Sequence, residues 1–367
     1  MPITSKTLRS LAAVTSIACA FCLASCKSKP AEEKAAPPTA EVPAEKVVLP
    51  PAPAEFPTMK IPADNPQTPD KIALGHQLFF DARLSVDGTR SCYSCHQNED
   101  GNGGATPLAI GALDKQLTRH SPVIWNTGYY EAFYWDGRAP SLEAQAKGAW
   151  GGGNMGVGAD NLAAKATELA KIEGYAEQFK KVFPDEGMTP DTIAKSISAY
   201  ERTLICNDTA YDRYARGDDA ALTATQKQGW ALFVGKGQCA VCHTPPLFSS
   251  AMGVPDGVYY NVGIGTKDKA DAEIDPGRFA VTKKDADWAA FKVPSLRNVA
   301  KSAPYFHDGS VATLAEAVKL MSSGGIDNKN KTALLADRGL TEDERASIVA
   351  FLGALDCGAL EEPELPK

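Results

Sequence analysis

The chain has few residues that ligate metals and no long apolar segment. Only five histidines and six methionines occur among 367 residues, so each can be considered individually. The one long apolar run without a charge, residues 11–24, has 14 residues and is too short to span a bilayer. Strand-like alternation is scarce, and the net charge of −7 lacks the basic excess of nucleic-acid-binding proteins. We therefore expect no nucleic-acid partner and a fold with little β structure.

The first 25 residues have the features of a secretion signal. Lys6 and Arg9 precede the short apolar run, and residues 23–26 read Leu-Ala-Ser-Cys. This ending resembles the lipobox at which bacterial lipoproteins are cleaved and acylated on the new N-terminal cysteine. We expect lipidation at Cys26 and a periplasm-facing protein anchored to a bacterial membrane, the outer membrane being the expected one. An ordinary signal peptide with a chance cysteine is the alternative.

A proline-rich segment follows the signal. Residues 27–66 contain ten prolines among Ala, Glu and Lys, a composition that favours extended chain, so we interpret residues 26–66 as a tether. Ordered structure should begin near Thr68-Pro69-Asp70, where threonine is placed to cap a helix. Similar helix starts occur at Thr189-Pro190, Thr223 with Gln226, Thr313 with Glu316, and Thr341 with Glu344. These signals predict a mostly α fold with long Gly-rich loops, the longest at about 98–119 and 148–158.

The pattern Cys-x-x-Cys-His occurs twice. It spans residues 92–96 and 239–243, and similar Leu, Gly and aromatic residues precede both copies. In c-type haem attachment the two thiols form thioethers and the adjacent histidine ligates the iron. We expect one covalent haem c on Cys92, Cys95 and His96, and a second on Cys239, Cys242 and His243. A zinc site or two redox disulfides would leave both histidines unexplained.

The repeat predicts two domains of similar architecture. We place the N-terminal domain at residues 67–206 and the C-terminal domain at 207–367. Cys206 and Cys357 remain after the signal, lipid and haem cysteines are assigned. Each follows a predicted helix in an oxidising compartment, which predicts a disulfide, with two buried free thiols as the alternative.

Met321 is a candidate sixth ligand for the second haem. It shares one face of the helix after Thr313 with Leu314, Ala317 and Val318. That spacing fits a core methionine as well as an iron ligand.

Several blocks of residues 66–356 resemble the bacterial dihaem cytochrome c peroxidases and their relatives, which include the dihaem enzyme of methylamine utilisation. The blocks are Ile72–Leu84, Ser121–Asn126, Trp135–Ala139, Phe291–Val299 and Pro304–Ser310. The resemblance implies two all-α cytochrome c-like domains, with a peroxidatic N-terminal haem and an electron-transferring C-terminal haem. It also implies that Met321 ligates the second iron, that Trp135 lies between the haems and that Gln145 is the distal glutamine.

Two positions depart from the family. Ala112 stands where many relatives hold a detachable distal histidine, which predicts a first haem that is open in every redox state. Asn154 precedes the Met-Gly pair where relatives carry a distal glutamate, and an amide does not shuttle protons. Glu143, otherwise a first-turn helix acid after Ser141, is an alternative proton source.

The resemblance also raises the question of calcium. Relatives hold a calcium ion between the domains, to which Ser302 and Pro304 would give carbonyl oxygens. His120 stands where the family often has asparagine, and imidazole is a poor ligand for that hard cation. Calcium is therefore an open alternative here.

The leading expectation is an enzyme that reduces hydrogen peroxide to water with electrons from a small cytochrome c or cupredoxin. The alternatives are peroxide-dependent oxidation of a protein or organic substrate, and a non-catalytic electron-transfer or sensor protein. A homodimer is a further expectation.

Overall fold

The computed structural model describes residues 55–367, so the signal peptide, Cys26 and most of the tether lie outside the described residues. Within this range the helices are α1 Pro69–Phe80, α2 Leu142–Gly151, α3 Leu162–Leu169, α4 Glu173–Val182, α5 Pro190–Glu201, α6 Ala210–Ala215, α7 Ala224–Val234, α8 Phe279–Thr282, α9 Leu314–Ser322 and α10 Glu342–Leu352. Two short strands, β1 Tyr259–Tyr260 and β2 Phe291–Lys292, pair antiparallel. The predicted mostly α fold is confirmed. None of the helices in residues 55–367 is both long and apolar enough to cross a membrane.

All five predicted helix starts are confirmed. The Thr68 hydroxyl accepts the N–H of Lys71, and Pro69 lies in the first turn of α1. A capping box, in which a threonine and the residue three positions later bond to each other's backbone N–H, opens four later helices at Thr189, Thr223, Thr313 and Thr341. These contacts span three residues, so the local sequence suffices to predict them.

The internal repeat corresponds to the same helix crossing in both halves. Helix α1 crosses α5 at Gly75, where an added Cβ would lie 1.8 Å from the carbonyl oxygen of Ser196. Helix α7 crosses α10 at Gly229, where it would lie 1.9 Å from the carbonyl oxygen of Ser347. Only glycine permits such an approach, and each crossing precedes one Cys-x-x-Cys-His motif.

Four apolar clusters lie in the interior of residues 55–367, the smallest being that of Ile274, Trp288 and Ala289. The first packs α1 to α5, and the second is an aromatic core of Tyr211, Trp230, Phe233, Phe248 and Phe351. The third joins the two halves, with Phe133 and Leu142 from one and Leu247 and Val293 from the other. Residues up to Cys206 form the first cluster together with Cys357 and Leu360, and the second begins at Tyr211; the two-domain division stays a prediction.

Cys206 and Cys357 form a disulfide bond, with their Cα atoms 5.5 Å apart. Equivalent asparagines hold the two ends. Asn126 accepts the N–H of Cys206 at 2.9 Å, and Asn298 accepts that of Cys357 at 3.0 Å. The bond ties the C-terminal segment to the chain that follows α5.

The tether is shorter than the sequence predicted. The ring of Phe56 lies 5.7 Å from that of Tyr129, and Asn65 is fully buried, with its amide bonded to the Lys195 carbonyl at 2.9 Å. The expectation that ordered structure begins near Thr68 is therefore wrong. Proline content reports local stiffness, whereas these contacts join residues far apart in the chain.

The loops also differ from their predicted bounds. Gly148 to Gly151 are the last turn of α2, so the following loop begins at Gly152. Residues 81–141 and 235–278 contain no α-helix and are longer than the predicted loops. Many of their residues line the cavity described next.

Candidate active site

One continuous cavity of about 960 Å³ lies between the two halves. His96, the histidine of the first motif, lines it, as do Cys239, Cys242 and His243 of the second motif. The other predicted site residues on its walls are Trp135, Gln145, Asn154, Ser302, Pro304 and Met321. The fold therefore gathers residues that are more than 200 positions apart in the sequence.

His96 is oriented by a hydrogen bond that leaves its Nε2 atom available to ligate iron. Its Nδ1 lies 3.2 Å from the carbonyl oxygen of Asn102, which accepts the Nδ1 proton and leaves Nε2 unprotonated. Asn102 is itself fixed, because its side-chain oxygen accepts the indole N–H of Trp125 at 2.8 Å. Burial lowers the pKa of His96 to about 4, so the ring is neutral at physiological pH.

His243 has the same arrangement in the second half. Its Nδ1 lies 3.1 Å from the carbonyl of Pro294 and 3.3 Å from that of Phe248. Burial again lowers the pKa of this histidine to about 4. Pro294 belongs to the block 291–299, so the second half of the chain orients its own histidine.

The four motif cysteines are half-buried and unpaired. Within residues 55–367, no three His, Cys, Asp or Glu side chains come together as a metal-binding group, so the four cysteines do not converge on a zinc site. Each half instead offers two free thiols in one motif with a neutral, anchored imidazole that lines the cavity; Cys239 and Cys242 also line it, whereas Cys92 and Cys95 do not. This donor set fits two covalent c-type haems.

Met321 and Ala112 make the two halves unequal. Met321 lies on α9 and lines the cavity together with Leu314, Ala317 and Val318. Ala112 is buried in a short turn, and its N–H donates to the Asn154 carbonyl at 2.9 Å. A methyl group has no donor atom for iron, whereas a thioether does.

Gln145 and Asn154 both line the cavity beside the first motif. Gln145 lies on α2, and its carbonyl accepts the hydroxyl of Tyr134 at 3.0 Å. Asn154 follows the end of α2 in a loop packed so closely that a Cβ on Gly111 would lie 2.0 Å from the Gly153 carbonyl oxygen. Their amides are able to orient a small polar ligand but not to transfer a proton.

Trp135 is fixed on the cavity wall. Its indole N–H donates to the His120 carbonyl at 2.8 Å, and its own carbonyl accepts the N–H of Lys292 at 2.8 Å. Its ring lies 6.5 Å from that of His307, which stacks on Phe291 at 3.6 Å. A row of aromatic rings therefore connects the two halves.

His120 and Ser302 are two of the residues that the family resemblance associates with a calcium ion. The His120 Nδ1 lies 2.9 Å from the Thr106 carbonyl, and the Ser302 hydroxyl donates to the Val299 carbonyl at 3.3 Å. Both residues and Pro304 lie on the cavity wall. Calcium binding stays a prediction.

Sequence reasoning missed three charged residues of this region. Lys292 is half-buried, its Nζ donates to the Ala132 carbonyl at 2.8 Å, and desolvation lowers its pKa to about 7. Arg297 is fully buried and bonds both carboxylate oxygens of Asp212 at 2.7 Å. Glu201 lies at the end of α5 on the cavity wall. Lys292 and Arg297 stand inside the block 291–299, which was a signal for both, whereas nothing in the sequence singled out Glu201.

The family model described as di-haem cytochrome c peroxidase matches residues 69–220. The chain is 37% identical over 341 residues to cytochrome-c peroxidase IdrP1 of Denitromonas iodatirespirans, covering 85% of this chain and 89% of that protein. It is 35% identical over 309 residues to methylamine utilization protein MauG of Methylorubrum extorquens, covering 83% and 84%. It is 36% identical over 288 residues to cytochrome c551 peroxidase of Pseudomonas aeruginosa, covering 77% of each.

Among solved structures, a MauG-like protein associated with microbial copper homeostasis superimposes with a TM-score of 0.75 at 31% identity, covering 86% of this chain and 96% of that one. The diheme peroxidase BthA from Burkholderia thailandensis shares the fold, with a TM-score of 0.65 at 20% identity and coverage of 82% and 92%. The identities to the curated relatives extend over most of the chain. The chain belongs to the di-haem cytochrome c peroxidase family of oxidoreductases.

Proposed function

We propose that the protein reduces hydrogen peroxide to water at the N-terminal haem site, with electrons that a small cytochrome c or cupredoxin delivers to the C-terminal haem. The observation that carries this proposal is that the two similar halves, which line one cavity, differ in the residue available as a second iron ligand. The second half presents His243 and Met321, a ligand pair suited to electron transfer. The first half presents His96 and, at the position of the family's second histidine, only Ala112.

Haem groups held by the two Cys-x-x-Cys-His motifs would supply iron for peroxide chemistry and two redox centres for the two electrons that peroxide reduction needs. The chain's own residues position the reactants around them. Gln145 and Asn154 offer amides that hydrogen-bond peroxide within the cavity. Trp135, fixed by its bond to the His120 carbonyl, offers an aromatic path for electrons between the halves.

Further proposals rest on the sequence. They are two domains at 67–206 and 207–367, a periplasmic location with a lipid anchor at Cys26 on the outer membrane, and a homodimer. Calcium held by the carbonyl oxygens of Ser302 and Pro304 belongs with them.

A second candidate function is peroxide-dependent oxidation of a protein or organic substrate. Asn154 favours it, because an amide at the position of the distal glutamate removes an acid that fast peroxide reduction uses. The 35% identity to methylamine utilization protein MauG agrees with this alternative. An electron-transfer or sensor protein without turnover is the third candidate.

Replacement of Trp135 by phenylalanine tests the proposed electron path. We expect Trp135→Phe to slow peroxide-dependent oxidation of a reduced cytochrome c, while the donor still reduces the C-terminal haem at the parent rate when peroxide is omitted. The matched control is Trp288→Phe, since Trp288 is a buried tryptophan that packs in a separate cluster with Ile274 and Ala289. Equal turnover in all three proteins would show that electrons do not pass through Trp135.

A further inference from the structure

A buried carboxyl group on the cavity wall has no role in the functions described so far. Glu201 is the last residue of α5 and is 8% exposed. It lines the cavity that also holds His96, Gln145 and Asn154. Its Oε2 atom is buried without any hydrogen-bond partner. A buried polar atom left unbonded is costly, so this one calls for a ligand or a function.

Arg202, the cationic residue next to Glu201 in the chain, is paired with the carboxylate of Glu143. Arg202 forms an ion pair with Glu143, its Nη1 lying 2.8 Å from Oε1 and its Nη2 donating to Oε2 at 3.1 Å. Asn65 adds a bond to Glu143 at 2.7 Å. Burial alone would raise the pKa of Glu143, but these bonds lower it. Glu143 is therefore an ionised, structural carboxylate, and the suggestion that it delivers protons is not supported by its surroundings.

Glu201 has the opposite environment. Burial raises its pKa to about 8, with the charge of Glu143 adding to the effect and that of Arg202 opposing it. The other titratable groups around it are the Cys92 thiol, Tyr134 and Tyr200, whose pKa values burial and the Glu201 charge both raise. A carboxyl group kept neutral near pH 7 is able to give up a proton.

The neighbours of Glu201 place it at the first haem site. Cys92 belongs to the first attachment motif, and Tyr134 donates its hydroxyl to the carbonyl of Gln145 on α2. Tyr134 therefore connects the surroundings of Glu201 to α2, the helix that carries Gln145, and the side chains of Glu201, Gln145 and Asn154 line the same cavity. Of the residues in this part of the wall, Glu201 carries an ionisable acid, whereas Gln145 and Asn154 do not.

We propose that Glu201 is the proton donor of the peroxide site, supplying from this position the acid that Asn154 lacks. This inference rests on the proposed function. Reduction of one hydrogen peroxide breaks its O–O bond, consumes two electrons from the donor protein and two protons, and yields two waters. Glu201 gives one of the two protons and regains it from solvent, while solvent supplies the other. A positioned acid contributes roughly 10²- to 10⁴-fold in rate.

The test compares Glu201→Gln with the parent holoenzyme and with Glu177→Gln, a control on the exposed face of α4. Haem content is measured first, and turnover with peroxide and a reduced cytochrome c is then followed against pH. We expect turnover of Glu201→Gln to fall by roughly 10²- to 10⁴-fold, the contribution of a positioned acid, with no change in the control. The parent should lose activity as pH rises through about 8, and the glutamine variant should not show that step.

A second measurement does not depend on activity. Infrared difference spectra of the parent, recorded as pH is raised, should show the carbonyl band of a protonated carboxylic acid that disappears near pH 8 and is absent from Glu201→Gln. A parent enzyme that lacks peroxide turnover but has this band would refute the proposed function, not the protonation of Glu201. Full turnover of the glutamine variant, or an unchanged band in it, would overturn the inference. If the glutamine variant loses haem, Glu201→Leu decides, because a parent-like pH step and band in a variant without a carboxyl group at this position would also overturn the inference.

Discussion

Arg297 forms a buried ion pair with Asp212 in the second half of the chain, and replacing it should strongly destabilise the folded protein. Its guanidinium is fully buried and bonds both oxygens of Asp212, whose side chain is 4% exposed. It also donates to the carbonyl of Pro246 at 2.7 Å. In Arg297→Met the carboxylate would stay buried without a counter-charge, which costs about 3–5 kcal/mol of unfolding free energy.

The sign of the pH dependence follows from Asp212. Burial alone would raise the pKa of this carboxyl, but the Arg297 hydrogen bonds and charge lower it below the usual value. A lowered pKa stabilises the parent above the unfolded pKa of about 4, and the stabilisation is lost as pH falls. The difference between parent and Arg297→Met should therefore be largest near neutral pH and shrink in acid, where Asp212 takes up a proton.

Guanidinium unfolding followed by far-UV circular dichroism measures this difference. The double variant Arg297→Met/Asp212→Asn removes the stranded charge and should recover at least about half of the loss. The control Arg213→Met, on α6, removes an exposed ion pair with Asp208 and should cost less than about 1 kcal/mol. A loss below about 1 kcal/mol in Arg297→Met would refute the argument that the pair holds this region.

Three further predictions concern the proposed haem ligand Met321, the disulfide and the cavity residue Asn154. Met321→Ala should lower the potential of the C-terminal haem and open its iron, and an unchanged visible spectrum would return Met321 to a packing role. Cys206→Ser/Cys357→Ser should lose roughly 2–4 kcal/mol in unfolding by denaturant, and an unchanged midpoint would contradict that stabilising role. Asn154→Glu should leave peroxide turnover at saturating donor nearly unchanged because Glu201 already supplies the acid, whereas a gain of roughly 10²-fold would show that proton supply limits the parent.

The features that could be predicted from the sequence are those whose physics is local. A threonine followed three residues later by a partner defines a helix start, and Cys-x-x-Cys-His carries its haem chemistry within five residues. Gly75 and Gly229 were recognised only as parts of a repeat, and the structure adds the reason, which is the close crossing of two helices.

The features that were missed depend on partners distant in the chain. Asn65 looked like part of a tether because its partner Lys195 lies 130 residues away. Glu201 belongs to no sequence motif. It stands out in the structure because its carboxyl group has an unbonded oxygen, since the adjacent Arg202 pairs with Glu143 instead. Burial and the absence of a partner are properties of the folded chain, so no local pattern encodes them.

The stoichiometry of donor and peroxide tests the central claim most directly. Holoenzyme is mixed with a known amount of hydrogen peroxide and an excess of reduced small cytochrome c, and both reactants are quantified at completion. We expect two molecules of cytochrome c to be oxidised for each peroxide consumed, with the His243→Gly variant, which lacks the second proximal ligand, failing to couple the two. Peroxide consumption without oxidation of the cytochrome, or no consumption at all, would contradict the account.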